Sequence, residues 1–149
     1  MRLLVQRVSE ASVKVDGKII GAISKGLLVF AGFEDGDNDK EIEYVTKKIV
    51  NLRIFDDSDG VMNCSVLETE GNILLISQFT LHAQTRRGNR PSYIKAAKPD
   101  IAIPLYKKLI VSLNVAMSRQ IETGEFGADM KVSLVNDGPV TIWIDTKEE

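Results

Sequence analysis

The sequence predicts a single α+β domain. Three observations carry that reading: strand-period alternation through the first third of the chain, two later stretches with helical spacing of apolar residues, and a closing pair of alternating segments after residue 130. A length of 149 residues suits one hydrophobic core. Apolar residues make up 44% and charged residues 27%, ordinary globular proportions that exclude a disordered chain.

Leu3, Val5, Val13 and Val15 alternate with polar residues, the period of a half-buried strand. Asp16-Gly17 is a hairpin signal, and Lys18 to Ile23 is its return strand. Ser24-Lys25-Gly26 reads as a second turn, and Leu27 to Phe33 as an apolar strand buried on both faces, so the expected arrangement is a meander. Asp35, Asp37 and Asp39 then sit at the spacing of the first calcium-loop ligands. Lys40 stands where that loop requires Gly and Thr46 where it requires Glu, so the match fails. Asn38 is instead a helix cap with Glu41 at the capping-box position, and Ile42, Val45, Ile49 and Leu52 mark the buried face of the helix that follows.

Arg53 to Asp57 reads as a short strand and Asp57-Ser58-Asp59-Gly60 as a turn. Cys64, among Val61, Met62, Val66 and Leu67, reads as a buried structural thiol, with no basic neighbour in the local sequence to activate it. Asn72 to Leu81 is a strong strand whose polar end can present side chains and N–H groups in a cleft. Pro99 opens a helix running to about Thr123. Leu105, Leu109, Leu113 and Ala116 form its apolar face, Pro104 lies near its entry, and Gly124 fits its C-terminal cap, with Phe126 as the following apolar contact. Met130, Val132 and Leu134 alternate as one strand and Val140, Ile142 and Ile144 as another; Asn136-Asp137-Gly138-Pro139 between them reads as a hairpin turn.

Charge and composition narrow the function. With 19 Lys+Arg against 21 Asp+Glu the net charge is −2, so a nucleic-acid partner must be met by a local patch. The segment Thr85 to Lys98 offers one: Arg86, Arg87, Arg90, Lys95 and Lys98 with no intervening acid, and Tyr93 among them. It reads either as a solvated loop or as a phosphate-contacting patch with an aromatic for stacking. A single cysteine excludes an internal disulfide and any multi-thiolate site, and a single histidine, His82, excludes motifs needing two imidazoles. No run reaches the ~18 apolar residues of a membrane span and no signal peptide is evident, so a cytoplasmic protein is expected.

The inventory of reactive side chains is thin. A nucleophilic triad would have to use His82; on one strand it would share a face with Thr80 but not with Ser77. No phosphate-binding glycine loop and no G-x-S-x-G elbow is present. Either the protein is a binding module, or its catalysis rests on backbone donors and a group supplied by the substrate.

At Ser77-Gln78-Phe79-Thr80-Leu81 and Asn136-Asp137-Gly138-Pro139-Val140-Thr141 the chain resembles the D-aminoacyl-tRNA deacylases. Gln6-Arg7-Val8, Arg87 to Ser92 and Glu122 to Met130 extend the resemblance over essentially the whole chain. It implies a β-barrel-like sheet assembly with helices packed outside, in a homodimer with the active site at the subunit interface. It further implies hydrolysis of the ester joining a D-amino acid, or glycine mischarged on alanine tRNA, to the terminal adenosine of tRNA, without cofactor or metal. By the matched motifs, the backbone N–H groups of Phe79 and Thr80, with Gln78 and Ser77, form the catalytic site. Gly138 and Pro139, through a cis bond, wall off the space of an L side chain in the partner's site, with Asn136 and Arg7 in support. Arg86, Arg87 and Arg90 are the candidate tRNA contacts. Two rivals stand beside this reading: an RNA-binding module without catalysis, and a Thr80/His82 esterase for small esters.

Overall fold

Asp16 and Gly17 take φ of 50° and 76°, as the two central residues of a tight hairpin must, and they fold β1 (Arg2–Val15) onto β2 (Lys18–Ile23). The computed structural model describes residues 1–148. Strand β3 (Gly26–Gly32) does not turn back on β2. It continues along the same edge of β1, with Ala11 opposite Ile23, Val8 opposite Gly26 and Arg2 opposite Gly32. Ser24-Lys25 is therefore a bend within one long return strand, and the expected meander is a single long hairpin. Local turn chemistry is satisfied by the bend; pairing with β1 sets the direction.

Helix α1 (Asp39–Asn51) begins with the expected capping box: Asn38 Oδ1 accepts from the Lys40 N–H at 3.0 Å, and the Asn38 N–H donates to Glu41 Oε2 at 2.7 Å. Ile42, Val45 and Ile49 are buried as expected, whereas Leu52 lies just past the helix end and is half-buried. The strand expected over 53–57 shrinks to β4 (Phe55–Asp56), which pairs with β5 (Met62–Cys64). Cys64 is half-buried rather than buried, because Val61, Met62 and Leu67 around it face outward and only Val66 points into the core.

Strand β6 (Asn72–Ser77) runs parallel to β3 and ends four residues earlier than its composition suggests; Phe79–His82 is a 3₁₀ turn. Helix α2 (Pro99–Met117) includes Pro104 and buries Leu105, Tyr106, Leu109 and Leu113. It stops at Ser118, whose φ is 52°, and Asn114 Oδ1 takes the Ile121 N–H at 2.8 Å. Gly124 is thus not its cap, and residues 122–123 form β7 (Glu122–Thr123), parallel to β6.

The last element is the largest departure from expectation. Residues 131–145 are one strand, β8 (Lys131–Asp145), running antiparallel along β1 from Arg2 opposite Asp145 to Lys14 opposite Lys131. Gln6 faces Thr141 and Val8 faces Asn136, so the tetrapeptide 137–140 bulges from the ladder opposite Arg7 alone. It is a loop within a strand, not a hairpin turn.

The sheet curls into a nearly closed barrel-like form: a Cβ built on Gly21 of β2 would lie 2.8 Å from the Thr123 carbonyl of β7, at the far end of the strand order. Gly26 allows β3 and β6 to start in contact, since a Cβ there would meet the Asn72 carbonyl. Alternate residues of the central strands serve two apolar clusters. Leu27, Val29, Ile73 and Leu75 pack with Leu3, Val5 and both helices; Leu28, Leu74 and Ile76 pack with Val8 and Val13 on the other face. The burial of β3 on both faces is as its sequence suggests. None of the described helices is long and apolar enough to cross a membrane.

Candidate active site

The parallel strands β3, β6 and β7 all end at one side of the sheet, and a cleft of about 240 Å³ opens there. Ala31 and Phe33 line it from β3 and beyond. Ile76, Ser77, Gln78 and Phe79 line it from β6 and the turn that follows, and Phe126, Gly127, Ala128 and Met130 from the loop after β7. Ala97 and Ala102 close it from the start of α2. All four residues of the predicted catalytic segment therefore lie at or beside one cleft: Ser77 and Gln78 half-buried on its wall, the Phe79 ring 56% exposed, and Thr80 in the turn.

The turn determines which backbone donors remain. Gln78 N–H donates to the Ala31 carbonyl at 2.8 Å, Leu81 N–H to Gln78 at 3.3 Å, and Ala83 N–H to Thr80 at 3.0 Å. The N–H groups of Phe79 and Thr80 head the turn, where a helical segment has no internal acceptor for them. A strand continuing through Leu81 would have spent these donors in a ladder. Gly32 lets the turn approach β3, because a Cβ there would lie 2.8 Å from the Gln78 carbonyl.

The side chains do not form a nucleophile and base. Thr80 Oγ1 accepts a hydrogen bond from Gln78 Nε2. His82 is 1% exposed, its two ring nitrogens have no hydrogen-bond partner among the described residues, and burial lowers its pKa. The face-sharing expected of Thr80 and His82 required a strand, and the 3₁₀ turn removes it.

The second predicted motif is built as firmly. Asn136 Oδ1 accepts the Val140 N–H at 2.8 Å, and its Nδ2 donates to the Val140 carbonyl at 3.1 Å and to Thr141 Oγ1 at 3.0 Å, which closes the loop across its base. Arg7 Nε donates to the Asp137 carbonyl at 2.7 Å, and its Nη1 to the Ile54 carbonyl at 2.7 Å. Gly138 has φ 153° and the Gly138-Pro139 bond is cis; both residues are exposed. Asn136 and Arg7 thus hold the loop, whereas Gly138 and Pro139 present it.

The two motifs do not meet within one chain. Arg2 Nη1 reaches the Leu81 carbonyl at 3.1 Å, while Arg7 holds Asp137. Five residues along a strand at ~3.3 Å each put the Cα atoms of Arg2 and Arg7 about 17 Å apart, so the two contacts start from well-separated points of β1. No residue of the 136–140 loop lines the cleft. The basic segment lies beside the cleft instead: Tyr93 packs edge-on against Phe79 with ring centroids 5.1 Å apart, and Gln84 bridges to Ser92 at the base of the arginine loop. Arg86, Arg87 and Arg90 are exposed, and none joins an ion pair among the described residues. Ala97, Ala102, Phe126, Gly127, Ala128 and Met130 carry no ionisable group, and although the resemblance reaches Glu122 to Met130, nothing in these side chains marks them as cleft residues.

Comparison with known proteins identifies the family and the fold. Residues 4–145 match the family model described as D-Tyr-tRNA(Tyr) deacylase. A D-aminoacyl-tRNA deacylase of Bacteroides fragilis (strain YCH46) is 62% identical over 149 residues, covering 100% of this chain and 99% of that protein. One from Flavobacterium psychrophilum is 56% identical over the same span and the same shares. Among solved structures, the c-Myc DNA unwinding element binding protein superposes with a TM-score of 0.93 at 38% identity, over 99% of this chain and 100% of that one. A probable eukaryotic D-amino acid tRNA deacylase shares the fold, with a TM-score of 0.82 at 19% identity over 96% of this chain and 97% of that one.

The buried His82 has a measurable signature. Its folded-state pKa lies below the ordinary 6.5, so the unfolded chain binds the proton more readily and stability falls as pH drops through that value. His82→Leu removes this contribution while leaving no unpaired ring nitrogen. Urea midpoints measured at about pH 7.5 and about pH 5.5 should therefore fall further for the parent than for the variant. An equal fall in both would show that His82 is not held neutral.

Proposed function

This chain belongs to the D-Tyr-tRNA(Tyr) deacylase family and is a hydrolase of the aminoacyl-tRNA ester bond, and we propose that it does so as a cytoplasmic homodimer whose active site is shared between subunits. The observation that carries the proposal is the separation of the two motifs. The cleft at Ser77–Thr80 and the exposed loop at Gly138-Pro139 lie far apart in one copy, and each is firmly built. A two-fold pairing that inserts one copy's loop into the other's cleft joins them. Phe79, Ile94, Val135 and Trp143 are large apolar residues at least 43% exposed, surface of the kind a partner covers.

The chemistry needs little from side chains. The aminoacyl ester is activated, and water, oriented by the terminal 2′-OH of the tRNA, adds to its carbonyl carbon and gives up the proton that the ribose oxygen later carries away. The N–H groups of Phe79 and Thr80 receive the oxyanion, a contribution of a few kcal/mol per preorganised donor. Collapse of the tetrahedral species breaks the bond to the ribose oxygen, which leaves with a proton, and releases the free amino acid and tRNA. Ser77 and Gln78 shape the wall, and Gln78 keeps the Thr80 hydroxyl in place. No residue in this scheme requires a metal or cofactor.

Chirality is read by exclusion. Carbonyl oxygens of the partner's Gly138-Pro139 loop occupy the space an L side chain needs, and Asn136 and Arg7 fix that loop. The arginine loop meets the phosphates of the tRNA, which position the acceptor end without reading the amino acid.

Release of amino acid from tRNA charged with D-tyrosine, L-tyrosine or glycine tests the reading. D-Tyrosine and glycine should both be released, because neither places a β-carbon against the wall. L-Tyrosine should be released slower by several powers of ten, each ~1.4 kcal/mol of overlap being tenfold. Glycine as resistant as L-tyrosine would remove exclusion as the basis of selectivity, and release of none would favour the RNA-binding module. An enzyme that cleaves small esters lacking adenosine equally well would favour the third reading.

Thr80→Ala should keep at least about a tenth of the parent's kcat, since the backbone donors remain. Total loss of turnover in a folded, tRNA-binding variant would restore Thr80 as the nucleophile.

Neutralising Arg86, Arg87 and Arg90 together to Gln should weaken tRNA binding and flatten its dependence on salt by up to about three in the logarithmic slope, about one for each phosphate no longer met by a cation. An unchanged slope would place the phosphate-binding cations elsewhere.

A further inference from the structure

The Arg7 side chain is 11% exposed, so its charge sits largely out of water. Two of its partners are neutral carbonyls, those of Asp137 and Ile54, each at 2.7 Å. Its anionic partner is Asp56 Oδ1, 3.6 Å from Nη1. A cation removed from solvent needs such a counter-charge, and a flexible guanidinium needs several fixed acceptors to keep one orientation. Asp56 lies on the short β4–β5 hairpin, remote in sequence from the 136–140 loop.

That hairpin is unusually well fixed for an exposed one. Ile54 and Phe55 bury their side chains in the core, which sets the position of the Ile54 carbonyl. Asp57 Oδ1 accepts the N–H groups of Asp59 and Val61 at 2.9 and 3.1 Å, and its Oδ2 accepts from Asn63 Nδ2 at 3.2 Å. Arg53 clamps the opposite strand through the Asn63 carbonyl at 3.0 Å and through its side-chain oxygen. A turn so braced, carrying a carboxylate toward a buried arginine, does more than connect α1 to β6.

We propose that Asp56 is a positioning residue for chirality. It acts through Arg7, supplying the counter-charge beside Nη1 that, with the two carbonyl acceptors, keeps Nε aimed at the Asp137 carbonyl and so sets where the Gly138-Pro139 loop presents its oxygens. The inference rests on the reading of that loop as the element that excludes L side chains. Asp56 touches no reacting atom, and its 57% exposed side chain makes its replacement tolerable to the fold. The hairpin is then a bracket: β1 supplies the arginine, β8 the loop, and β4–β5 the charge that holds one against the other.

The test compares Asp56→Asn, Asp56→Glu and Arg7→Lys with the parent, measuring kcat/KM on D-tyrosyl-tRNA and on L-tyrosyl-tRNA. Asp56→Asn should retain D-substrate activity within about threefold and raise the L-substrate rate by at least about tenfold, because a loop displaced by tenths of an ångström lowers the clash. Asp56→Glu, which keeps the charge, should return at least part of the discrimination. An unaltered D/L ratio in Asp56→Asn, with the ratio reduced in Arg7→Lys, would overturn the role of Asp56 and leave the loop reading standing. Ratios unaltered in both would overturn the loop reading as well. Equal losses on both substrates in Asp56→Asn would mark a structural role only and would also overturn the inference.

Discussion

Strand β1 is hydrogen-bonded along both edges for almost its entire length, to β8 on one side and to β2 and β3 in succession on the other. The rest of the molecule depends on that double ladder. It brings the two ends of the chain together, with Arg2 Nε on Asp145 Oδ2 at 2.8 Å, and sets the register that leaves 137–140 outside the sheet. It also spaces the functional parts. Arg2 contacts the turn that follows β6, and Arg7 holds the exposed loop. A straight strand cannot bring its own second and seventh residues to one point. The two segments are therefore anchored at separate points along one strand, an arrangement that fits the proposed sharing of the site between two copies.

A site divided in this way, as proposed, would suit a reaction with an activated substrate. Donors left over at the head of a short turn need no residue of perturbed pKa, and the cleft contains none: the histidine nearest in sequence is buried and unpartnered, and the threonine hydroxyl is already engaged by Gln78. What remains to be controlled is selection. Distinguishing D from L by overlap requires a wall that does not yield, because a few tenths of an ångström of retreat removes most of a steric penalty. Loop 136–140 is fixed as the proposed role would require, by three hydrogen bonds to and from the Asn136 side chain and one from the half-buried Arg7.

Much of this was legible in the sequence where local chemistry and long-range pairing agree. Asp16-Gly17 and the Asn38–Glu41 box are short-range devices, and the structure places each as expected. The apolar stripe of α2 and the two-faced burial of β3 follow from period alone. Legibility failed where a distant strand outvotes a local signal. Asn-Asp-Gly-Pro has every mark of a hairpin turn, yet the residues on both sides of it belong to one partner, β1, and the turn chemistry becomes a bulge. Ser24-Lys25 is the same case in milder form. The end of α2 was overrun for another reason: Ile121 prolongs the apolar pattern, while Ser118 in the left-handed region, a residue with no strong stop signal, ends the helix. The candidate site was readable at Ser77–Thr80 and Gly138-Pro139 because of family resemblance; Ala97, Ala102, Gly127 and Ala128 supply only space and leave no chemical trace.

The charge distribution completes the division of labour. The chain is slightly acidic overall, yet the stretch from residue 83 to residue 98 carries five cations and no acid. Interactions between exposed charges fade over about 8 Å at physiological salt, so a local run of cations can meet a polyanion although the chain as a whole is acidic. Phosphate contacts are indifferent to what is esterified to the terminal ribose. If this edge binds tRNA as proposed, it would bring correctly and incorrectly charged tRNA to the cleft alike, next to the half-exposed Phe79–Tyr93 pair. Binding that cannot discriminate puts the whole burden of fidelity on the last few ångströms, at the ester itself. On the proposed reading an L-aminoacyl-tRNA is rejected only after it is bound, and rigidity of the 136–140 loop then matters more than power at the backbone donors.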